Sequence, residues 1–501
     1  MRGGKKGLVA VALAVAAAGI AVLVGGAVLV GRARRRRGSG AGGPVHVVRG
    51  RTRTGRSLDL AKVGARSSGS YVVHRARRAV APAHQRDHLD QQFQLKTAEA
   101  VAEALGNMKG ALMKLGQMAS YLDQGLPEHV RGALADLRQD APPMAPELAA
   151  GVVEQELGAP PEEVFADWDP IPVASASIGQ VHHAVTHDGR EVAVKVQYPG
   201  VDDAIRADLA NVDLLFSATG MLFPGLDPKA LVEELKARLV EELDYTLEAE
   251  SQRLFADYYE GHPFITVPGV VGELSTRRVL TTEWADGVRF EDLASWSQVE
   301  RNLAAEAIYR FVFGSLYRLK AFNGDPHPGN YLFEPGGRVT FLDFGLVKRF
   351  TPDEVTVFHD MIDTMVLDHD PAAFRKVIED VGLLKAGEPF TDQEVEDYFG
   401  HFYEFVLDDQ VTTIDEAYAS ETVRQVFDLT GPHGDIMKAA NVPPSFVIIQ
   451  RINLGLYAVL GELHATANWR RIAEEIWPFV DGAPSTPLGE EEAVWRRRTG
   501  R

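Results

Sequence analysis

The segment GDPHPGNYLF (324–333) places Asp325 and Asn330 five residues apart in a turn rich in proline and glycine. A second motif, LDFG, puts Asp343 thirteen residues after Asn330. Phosphoryl transfer from a nucleotide needs one carboxylate that orients or deprotonates the attacking group. It also needs an amide oxygen and a second carboxylate on Mg²⁺. These residue types and spacings therefore predict a catalytic role for Asp325 and magnesium binding by Asn330 and Asp343.

A strand-like segment upstream carries a lysine that could bind phosphate. In REVAVKVQY, Val192, Val194 and Val196 alternate with other residues, so Lys195 faces away from the valines. The preceding run VASASIGQV (173–181) has small residues that would let backbone N–H groups approach phosphates. A solvent-exposed lysine and a plain hairpin turn are the alternatives. The order of the parts along the chain favours a nucleotide site.

An acidic segment between these motifs, LVEELDYTLEAES (239–251), has a helical pattern. Asp244 and Glu248 are four residues apart and share one face of the helix, with Glu241 one turn earlier. A solvated helix surface is one interpretation of such a run. The functional interpretation is that one carboxylate pairs with Lys195 and another helps to hold the metal.

The elements that would position these residues form a small strand-bearing lobe and a larger helical lobe. Strand-like patterns occur in ASIGQVHHAV, REVAVKVQY and RRVLTTEW, and the mostly helical sequence after Trp284 is interrupted by NYLF and RVTFLDF. An apolar stripe along 105–122 predicts an earlier helix. The predicted fold is α+β and two-lobed. Its expected segments are a helical extension (86–146), an N-lobe (147–286), a C-lobe (287–480) and a polar tail (481–501) that frays.

The first residues predict a single transmembrane helix. Residues 8–30 are 23 positions without a charge, enough at about 1.5 Å per residue to cross a hydrocarbon core of roughly 30 Å. A secretory signal peptide is the alternative, but its apolar region has only about 7–15 residues. Five arginines lie within 32–37, against three basic residues in the tail at 1–7. The positive-inside rule therefore places the body in the cytoplasm at the cell membrane, after a basic juxtamembrane linker (31–85).

A later apolar stretch, SFVIIQRINLGLYAVLGEL (445–463), could be mistaken for a second span. Arg451 and Asn453 lie near its middle, where a membrane helix rarely tolerates them. The stretch is therefore expected to be a core helix of the larger lobe.

Composition excludes several kinds of site and partner. The chain has no cysteine, so disulfides, thiolate metal sites and cysteine nucleophiles are excluded. Its 501 residues have a net charge of −18, although residues 1–56 contain 12 basic residues and no acidic one. The remainder is therefore strongly acidic, with 40 basic against 70 acidic residues, which argues against nucleic acid as a partner.

Together these motifs resemble the UbiB family of atypical, kinase-like proteins, which is linked to coenzyme Q biosynthesis. MKLGQ (113–117) is similar to its KxGQ motif, and ASASIGQV to the alanine-rich loop that replaces the kinase glycine loop. VAVKVQYPG (192–200) resembles its lysine strand, EELDYTLEAE (241–250) its ExD segment, and GDPHPGN and LDFG its catalytic and metal loops. The resemblance covers residues from about 90 to beyond 350. It implies a protein-kinase-like fold that binds ATP or ADP and Mg²⁺.

The resemblance also implies a role for each matching residue. Lys195 would contact the nucleotide phosphates with Glu248 as its ion-pair partner, and Asp325 would be the catalytic-loop aspartate. The other implied roles are phosphate contacts (Ala174, Ser175, Ala176, Ser177, Ile178, Gly179 and Gln180), adenine contacts at the hinge (Glu283 and Trp284), magnesium ligands (Asn330 and Asp343) and regulatory residues facing the cleft (Lys114, Gln117, Glu242 and Asp244).

One departure from the family lies directly before the catalytic turn. The family often has HADPHPGN, whereas this chain has NGDPHPGN, with Asn323 and Gly324 at the first two positions. The metal-binding residues are the same, so the resemblance leaves the role of Asn323 open.

The segment after the metal loop narrows the substrate class. Only LVKRF separates Gly345 from TPDE, in which Thr351 and Glu354 form a capping-box pattern with Pro352 at the first helical position. A protein kinase has a long activation segment here. Because no such segment is present, a protein substrate is not expected.

Three hypotheses for function follow. The favoured one is a membrane-anchored kinase or ATPase that uses Mg-ATP and supports quinone or isoprenoid-lipid metabolism. Its expected partners are the lipid membrane, an isoprenoid or quinone-precursor lipid and membrane biosynthetic enzymes. The second is a nucleotide-binding scaffold that organises such enzymes without turnover. The third, a small-molecule phosphotransferase related to antibiotic kinases, is disfavoured by the KxGQ and ExD segments.

Overall fold

The computed structural model describes residues 144–176, 178–202, 240–324, 326–427, 432–441 and 444–501. The predicted anchor at 8–30 and most of the helical extension lie outside these ranges, so the predictions for them stay predictions. The chain divides into two compact units. Of the described residues, the first unit contains those within 144–164, 168–182, 195–202 and 240–243, and the second contains those within 165–167, 183–194 and 244–501.

The first unit begins with helix α1 (Pro146–Leu157), which has proline in its first turn and ends at Gly158 in the left-handed conformation. A short helix, α2 (Pro161–Val164), follows. Strand β2 (Ala174–Ala176) then pairs antiparallel with β3 (Gly179–Val185). The predicted small-residue run is therefore a β-hairpin.

Five strands form one sheet, in which β1 (Asp167–Trp168), β3, β4 (Glu191–Gln197) and β6 (Val279–Glu283) are neighbours in that order and β2 pairs with β3. In β4, Val192, Val194 and Val196 are fully buried, as their alternation predicts. The three strands expected in the smaller lobe are thus confirmed.

The second unit contains two helices that matter for the site. Helix α3 (Tyr245–Tyr258) is capped by Asp244, whose carboxylate accepts from the backbone N–H of Thr246 at 3.0 Å. Helix α4 (Gln298–Leu319) is buried along most of its length and ends at Lys320, which has φ 51°. This left-handed residue turns the chain directly into strand β7 (Ala321–Asn323).

Short strands hold the chain around the two predicted loops. β5 (Ile265–Thr266), β9 (Arg338–Phe341) and β8 (Tyr331–Glu334) form a sheet in that order, and β10 (Val347–Arg349) pairs with β7. A distant pair consists of β11 (Thr412–Ile414) and β12 (Ala465–Ala467). The strands predicted from NYLF and RVTFLDF are therefore confirmed as β8 and β9.

The rest of the second unit is helical. Its helices are α5 (Pro352–Ile362), which continues as a π-helix (Asp363–Leu367), α6 (Pro371–Asp380), α7 (Asp392–Phe399), α8 (Glu404–Leu407), α9 (Glu416–Phe427), α10 (Gly434–Ala439), α11 (Pro444–Glu462), α12 (Trp469–Ile476) and α13 (Pro487–Thr499).

The predicted start of α5 is confirmed. Its capping box has the Glu354 N–H donating to the Thr351 hydroxyl at 3.2 Å and the Thr351 N–H donating to the Glu354 carboxylate at 2.9 Å. Replacement of Thr351 by alanine is expected to lower the free energy of unfolding by about 1 kcal/mol. Urea unfolding of this variant and of Thr356→Ala, an exposed mid-helix control, measures the cap. Equal effects of the two changes would contradict a capping contribution.

Helix α11 confirms the prediction for the apolar stretch at 445–463. Ile452, Leu456, Tyr457 and Leu460 are buried among the side chains of the second unit, so the helix belongs to its core. Among the residues described, no helix is both long enough and apolar enough to span a membrane.

The expectation that residues 481–501 fray is wrong. Helix α13 begins at Pro487, and Leu488 and Trp495 are each 3% exposed. The Trp495 indole donates to the backbone carbonyl of Glu260 at 3.3 Å. The two apolar side chains lie seven residues apart on one face, and the surrounding charges hide that spacing in the sequence.

A buried arginine fixes this C-terminal helix. The Arg310 side chain on α4 is 2% exposed and contacts the carboxylates of Glu306 and Glu475 at 2.8 Å each and that of Glu492 at 3.1 Å. The Thr486 hydroxyl accepts a further bond from Arg310 at 3.1 Å. Burial raises the pKa of Glu306 in spite of the guanidinium beside it. Here this group of residues is called the Arg310 cluster.

A buried histidine makes the second unit sensitive to acid. His262 is 9% exposed, its Nδ1 accepts from the Ile265 N–H at 3.0 Å, and burial lowers its pKa to about 3. An unfolded histidine titrates near 6.5. The folded state therefore gains stability from neutral His262 above pH 6.5 and loses it as the pH falls towards 3.

Because of this histidine, we expect the free energy of unfolding to fall by about 2 kcal/mol when the pH is lowered from 7 to 5. His262→Asn keeps an acceptor near the Nδ1 position but does not titrate. Urea unfolding at the two pH values should therefore show a smaller acid loss in the variant. Parallel losses in both proteins would show that His262 takes up no proton on unfolding.

Candidate functional site

The β8–β9 hairpin places the two predicted magnesium ligands at one end. Tyr331 pairs with Phe341, and the backbone N–H of Leu342 donates to the carbonyl of Asn330 at 3.0 Å. Asn330 and Asp343 therefore flank the same end of the hairpin. The thirteen-residue spacing seen in the sequence is the length of this hairpin and its turn.

A short 3₁₀ turn, Pro328–Asn330, leads into the hairpin. His327 caps this turn, because its Nδ1 accepts from the backbone N–H of Gly329 at 3.0 Å. His327 therefore has a structural role here. Asp325 lies outside the described residues, and its catalytic role stays a prediction.

The turn Asp343-Phe344-Gly345 is fixed from two sides. Phe344 is 1% exposed, and its ring centroid lies 5.0 Å from that of Phe255 on α3 and 6.5 Å from that of Phe311 on α4. The Gly345 N–H donates to Oδ1 of Asp343 at 3.0 Å. The packing of Phe344 thus anchors the turn, and Asp343 is the first residue of this anchored turn.

Helix α3 brings a second carboxylate to this turn. Glu248 is 6% exposed, and a Cβ built at Gly345 would lie 3.4 Å from Glu248 Oε2 and 3.3 Å from Asp343 Oδ1. Glu248 and Asp343 therefore both approach the space where a side chain at position 345 would begin. A larger residue at this position would press against both carboxylates.

Magnesium fits this donor set by type. Within the described ranges, no three histidine, aspartate or glutamate side chains are grouped to hold a metal. Mg²⁺ needs fewer, since it commonly binds one or two protein carboxylates together with substrate phosphates and water. The amide oxygen of Asn330 and the carboxylate of Asp343 are hard oxygen donors of that kind.

Asn323, the last residue of β7, attaches that strand to the metal loop. Its Nδ2 donates to the backbone carbonyl of Asp343 at 2.8 Å, and the N–H of Gly324 donates to the carbonyl of Leu346 at 2.6 Å. In the β7–β10 pair, Asn323 lies opposite Val347. Sequence reasoning missed this contact, although the departure at Asn323 marked the position.

The predicted phosphate-binding residues lie on the β2–β3 hairpin and β4. Lys195 is half-buried on the face of β4 opposite the valines, as predicted. Ile178 and Gln180 are buried, and the Gln180 amide accepts from the N–H of Met144 at 3.0 Å and contacts the His182 ring at 2.8 Å. The side chain of Gln180 thus ties the segment just before α1 to the hairpin. Phosphate binding by this hairpin and pairing of Lys195 with Glu248 stay predictions.

Of the predicted hinge residues, Glu283 is the last residue of β6 and Trp284 follows it directly. The Glu283 carboxylate accepts from the Gly269 N–H at 2.9 Å, and the Trp284 N–H donates to the Glu191 carbonyl at 3.0 Å. Trp284 also meets the His183 ring edge-on, with centroids 4.7 Å apart. Both side chains are therefore held in place, and adenine binding by this segment stays a prediction.

The four residues predicted to be regulatory are only partly described. Asp244 acts as the N-cap of α3, which orients the helix that carries Glu248. Glu242 is half-buried just before that helix. Lys114 and Gln117, like Ser177 of the small-residue loop, lie outside the described residues. The expected contact between the KxGQ and ExD segments stays a prediction.

Comparison with known proteins supports the resemblance found in the sequence. The family described as the ABC1 atypical kinase-like domain matches residues 136–377. Over 303 residues the chain is 33% identical to the mitochondrial atypical kinase COQ8B of Rattus norvegicus, covering 60% of this chain and 57% of the relative. Over 422 residues it is 32% identical to a chloroplastic aarF domain-containing protein kinase of Arabidopsis thaliana, covering 80% and 57%.

The chain thus spans a little over half the length of these two relatives. Among solved structures it is similar to the complex of Rv3197 with erythromycin from Mycobacterium tuberculosis. That match has 31% identity and a TM-score of 0.57, and it covers 78% of this chain and 98% of the other. The fold is therefore kinase-like and mixed α+β, and the chain belongs to the UbiB family of atypical kinase-like proteins, as its motifs indicate.

Proposed function

We propose that the protein is an atypical kinase or ATPase that uses Mg-ATP at a membrane. The observation that carries the proposal is the meeting of Asn330 and Asp343 at one end of the β8–β9 hairpin, with Glu248 beside the same turn. When bound in such a site, Mg²⁺ would offset the charge that develops on the transferred phosphoryl group. Asn330 and Asp343 would hold the metal, and the buried Phe344 fixes the turn that carries Asp343.

The acceptor is not an extended peptide. β10 begins two residues after Gly345 and is paired along its length with β7, and α5 begins at Pro352. The intervening residues are therefore engaged in the fold and offer no platform of the kind that a protein kinase uses. A small molecule, a lipid or water fits this arrangement better.

The proposed place of action is the cell membrane, with the body in the cytoplasm. The uncharged segment at 8–30 and the arginines that follow it support a single-pass anchor. The resemblance to the UbiB family, which is linked to coenzyme Q biosynthesis, supports a link to quinone metabolism. We therefore include isoprenoid or quinone-precursor lipids, and the enzymes that process them, as partners.

The fate of the γ-phosphate tests the proposal. The full chain is reconstituted in vesicles that contain a polyprenyl lipid, and γ-labelled ATP is added with Mg²⁺. Label in water identifies an ATPase, and label in the lipid fraction identifies a lipid kinase. Tight nucleotide binding with no label released or transferred would instead favour the nucleotide-binding scaffold.

A further inference from the structure

The residue before the catalytic turn acts directly on the metal loop. Asn323 is the last residue of β7 and is 8% exposed. Its carboxamide donates to the backbone carbonyl of Asp343 at 2.8 Å. A buried hydrogen bond of this kind restricts the backbone that carries the predicted magnesium ligand.

The next residue sets how closely the two segments approach. The Gly324 N–H donates to the Leu346 carbonyl at 2.6 Å. A Cβ at Gly324 would lie 2.9 Å from Leu346 Cγ and 3.0 Å from the Leu346 carbonyl oxygen. Alanine would therefore force β7 and the metal loop apart.

We propose that Asn323 and Gly324 form one positioning unit for Asp343. Glycine permits the close approach, and the close approach lets a short carboxamide reach the Asp343 carbonyl. The inference rests on the proposed function, because it concerns the residue that would bind magnesium. It assigns a role to the Asn-Gly pair that stands where the motif often has His-Ala.

The unit makes a prediction about paired substitutions. The imidazole ring of histidine is larger than the carboxamide of asparagine and extends beyond its Nδ1, so histidine alone is too bulky for the present spacing at this buried position. Alanine at 324 alone makes the spacing too wide for asparagine. The two changes together widen the gap and fill it with a larger donor side chain, so they should compensate each other.

Binding of Mn²⁺ in the presence of a non-hydrolysable ATP analogue tests this unit without measuring activity. Free Mn²⁺ is followed by electron paramagnetic resonance on the full chain. We expect Asn323→Leu, Asn323→His and Gly324→Ala each to weaken Mn²⁺ binding about tenfold, the size of effect typical of lost outer-shell partners. The double variant Asn323→His with Gly324→Ala should bind within about threefold of the wild type.

Two control variants distinguish a role in positioning Asp343 from a general effect on folding and from the loss of the metal-binding carboxylate itself. In the wild type, the side-chain amide of Asn441 donates a hydrogen bond to the backbone carbonyl of Gly382 at 3.2 Å. Asn441→Ala removes this bond and should leave Mn²⁺ binding unchanged. Asp343→Asn should abolish it. Thermal unfolding without metal shows whether each variant folds. If Asn323→Leu does not fold, the comparison of Gly324→Ala with the double variant decides.

The outcomes are distinct. Compensation in the double variant supports the unit. If the wild type binds Mn²⁺, Asp343→Asn does not, and the Asn323 variants bind normally, the positioning role is overturned while the proposed function stands. The unit is also overturned if the Mn²⁺ affinity of the double variant falls by as much as the losses in Asn323→His and Gly324→Ala combined. A wild type that binds no Mn²⁺ with nucleotide overturns both proposals.

Discussion

Replacement of Arg310 by alanine is expected to lower the free energy of unfolding of the second unit by about 3–5 kcal/mol. The guanidinium is almost completely buried and contacts three carboxylates, two of which are themselves buried. Without it, Glu306 and Glu475 would have no cation in a region of low water access, so each would either carry an uncompensated buried charge or take up a proton, and both cost free energy. Helix α13 would also lose its attachment to α4 through Glu492. Urea denaturation followed by tryptophan fluorescence measures the loss, because Trp495 lies on α13.

Arg338 provides the matched control. It also pairs with a glutamate four residues away, Glu334, at 3.3 Å, but both side chains are about half exposed. Surface pairs of this kind contribute roughly 0–1 kcal/mol. A change of less than about 1 kcal/mol for Arg310→Ala, similar to that for Arg338→Ala, would show that the Arg310 cluster does not hold the C-terminal helix.

Replacement of Asp343 by asparagine is expected to weaken Mg²⁺-dependent ATP binding by about 100-fold or more, because the loss of a direct ligand should exceed the effect of losing an outer-shell partner. The carboxylate is the charged member of the proposed metal-binding pair. The fold should survive, since the asparagine oxygen can still accept from the Gly345 N–H, the bond that measures 3.0 Å with aspartate. Calorimetric titration of ATP with and without Mg²⁺ gives the affinity, and thermal unfolding without metal checks the fold.

Asp380→Asn controls for the loss of one negative charge. Asp380 lies on the surface at the end of α6 and pairs with Lys376, with both side chains more than half exposed. It should leave ATP binding unchanged, because screened surface charges contribute little. If both variants bind Mg-ATP as the wild type does, Asp343 is not a metal ligand.

The sequence was a good guide wherever a local pattern carried the information. The alternating valines predicted β4, the NYLF and RVTFLDF runs predicted β8 and β9, and the TPDE box predicted the start of α5. The D-x4-N and DFG spacing predicted that Asn330 and Asp343 would meet. Each of these signals lies within a short window, where periodicity and capping chemistry determine the backbone.

What the sequence did not show depends on residues that are distant along the chain. Arg310 and Glu492 are 182 positions apart, and nothing in either neighbourhood indicates their pairing. The prediction that residues 481–501 fray was wrong for the same reason. Helix α13 is stabilised by the buried contacts of Leu488 and Trp495 with distant parts of the chain, which its own composition does not reveal. The bond from Asn323 to Asp343 likewise requires the β7–β10 pairing.

Phosphate release from ATP by the full chain in anionic vesicles is the most direct test of the proposed function. The wild type should release phosphate only with Mg²⁺, faster with anionic lipid than without it, and Asp380→Asn should behave in the same way. Asp343→Asn should release none. If the wild type binds nucleotide but yields no phosphate to water, lipid or protein under any of these conditions, the site does not catalyse phosphoryl transfer, and a scaffold role takes its place.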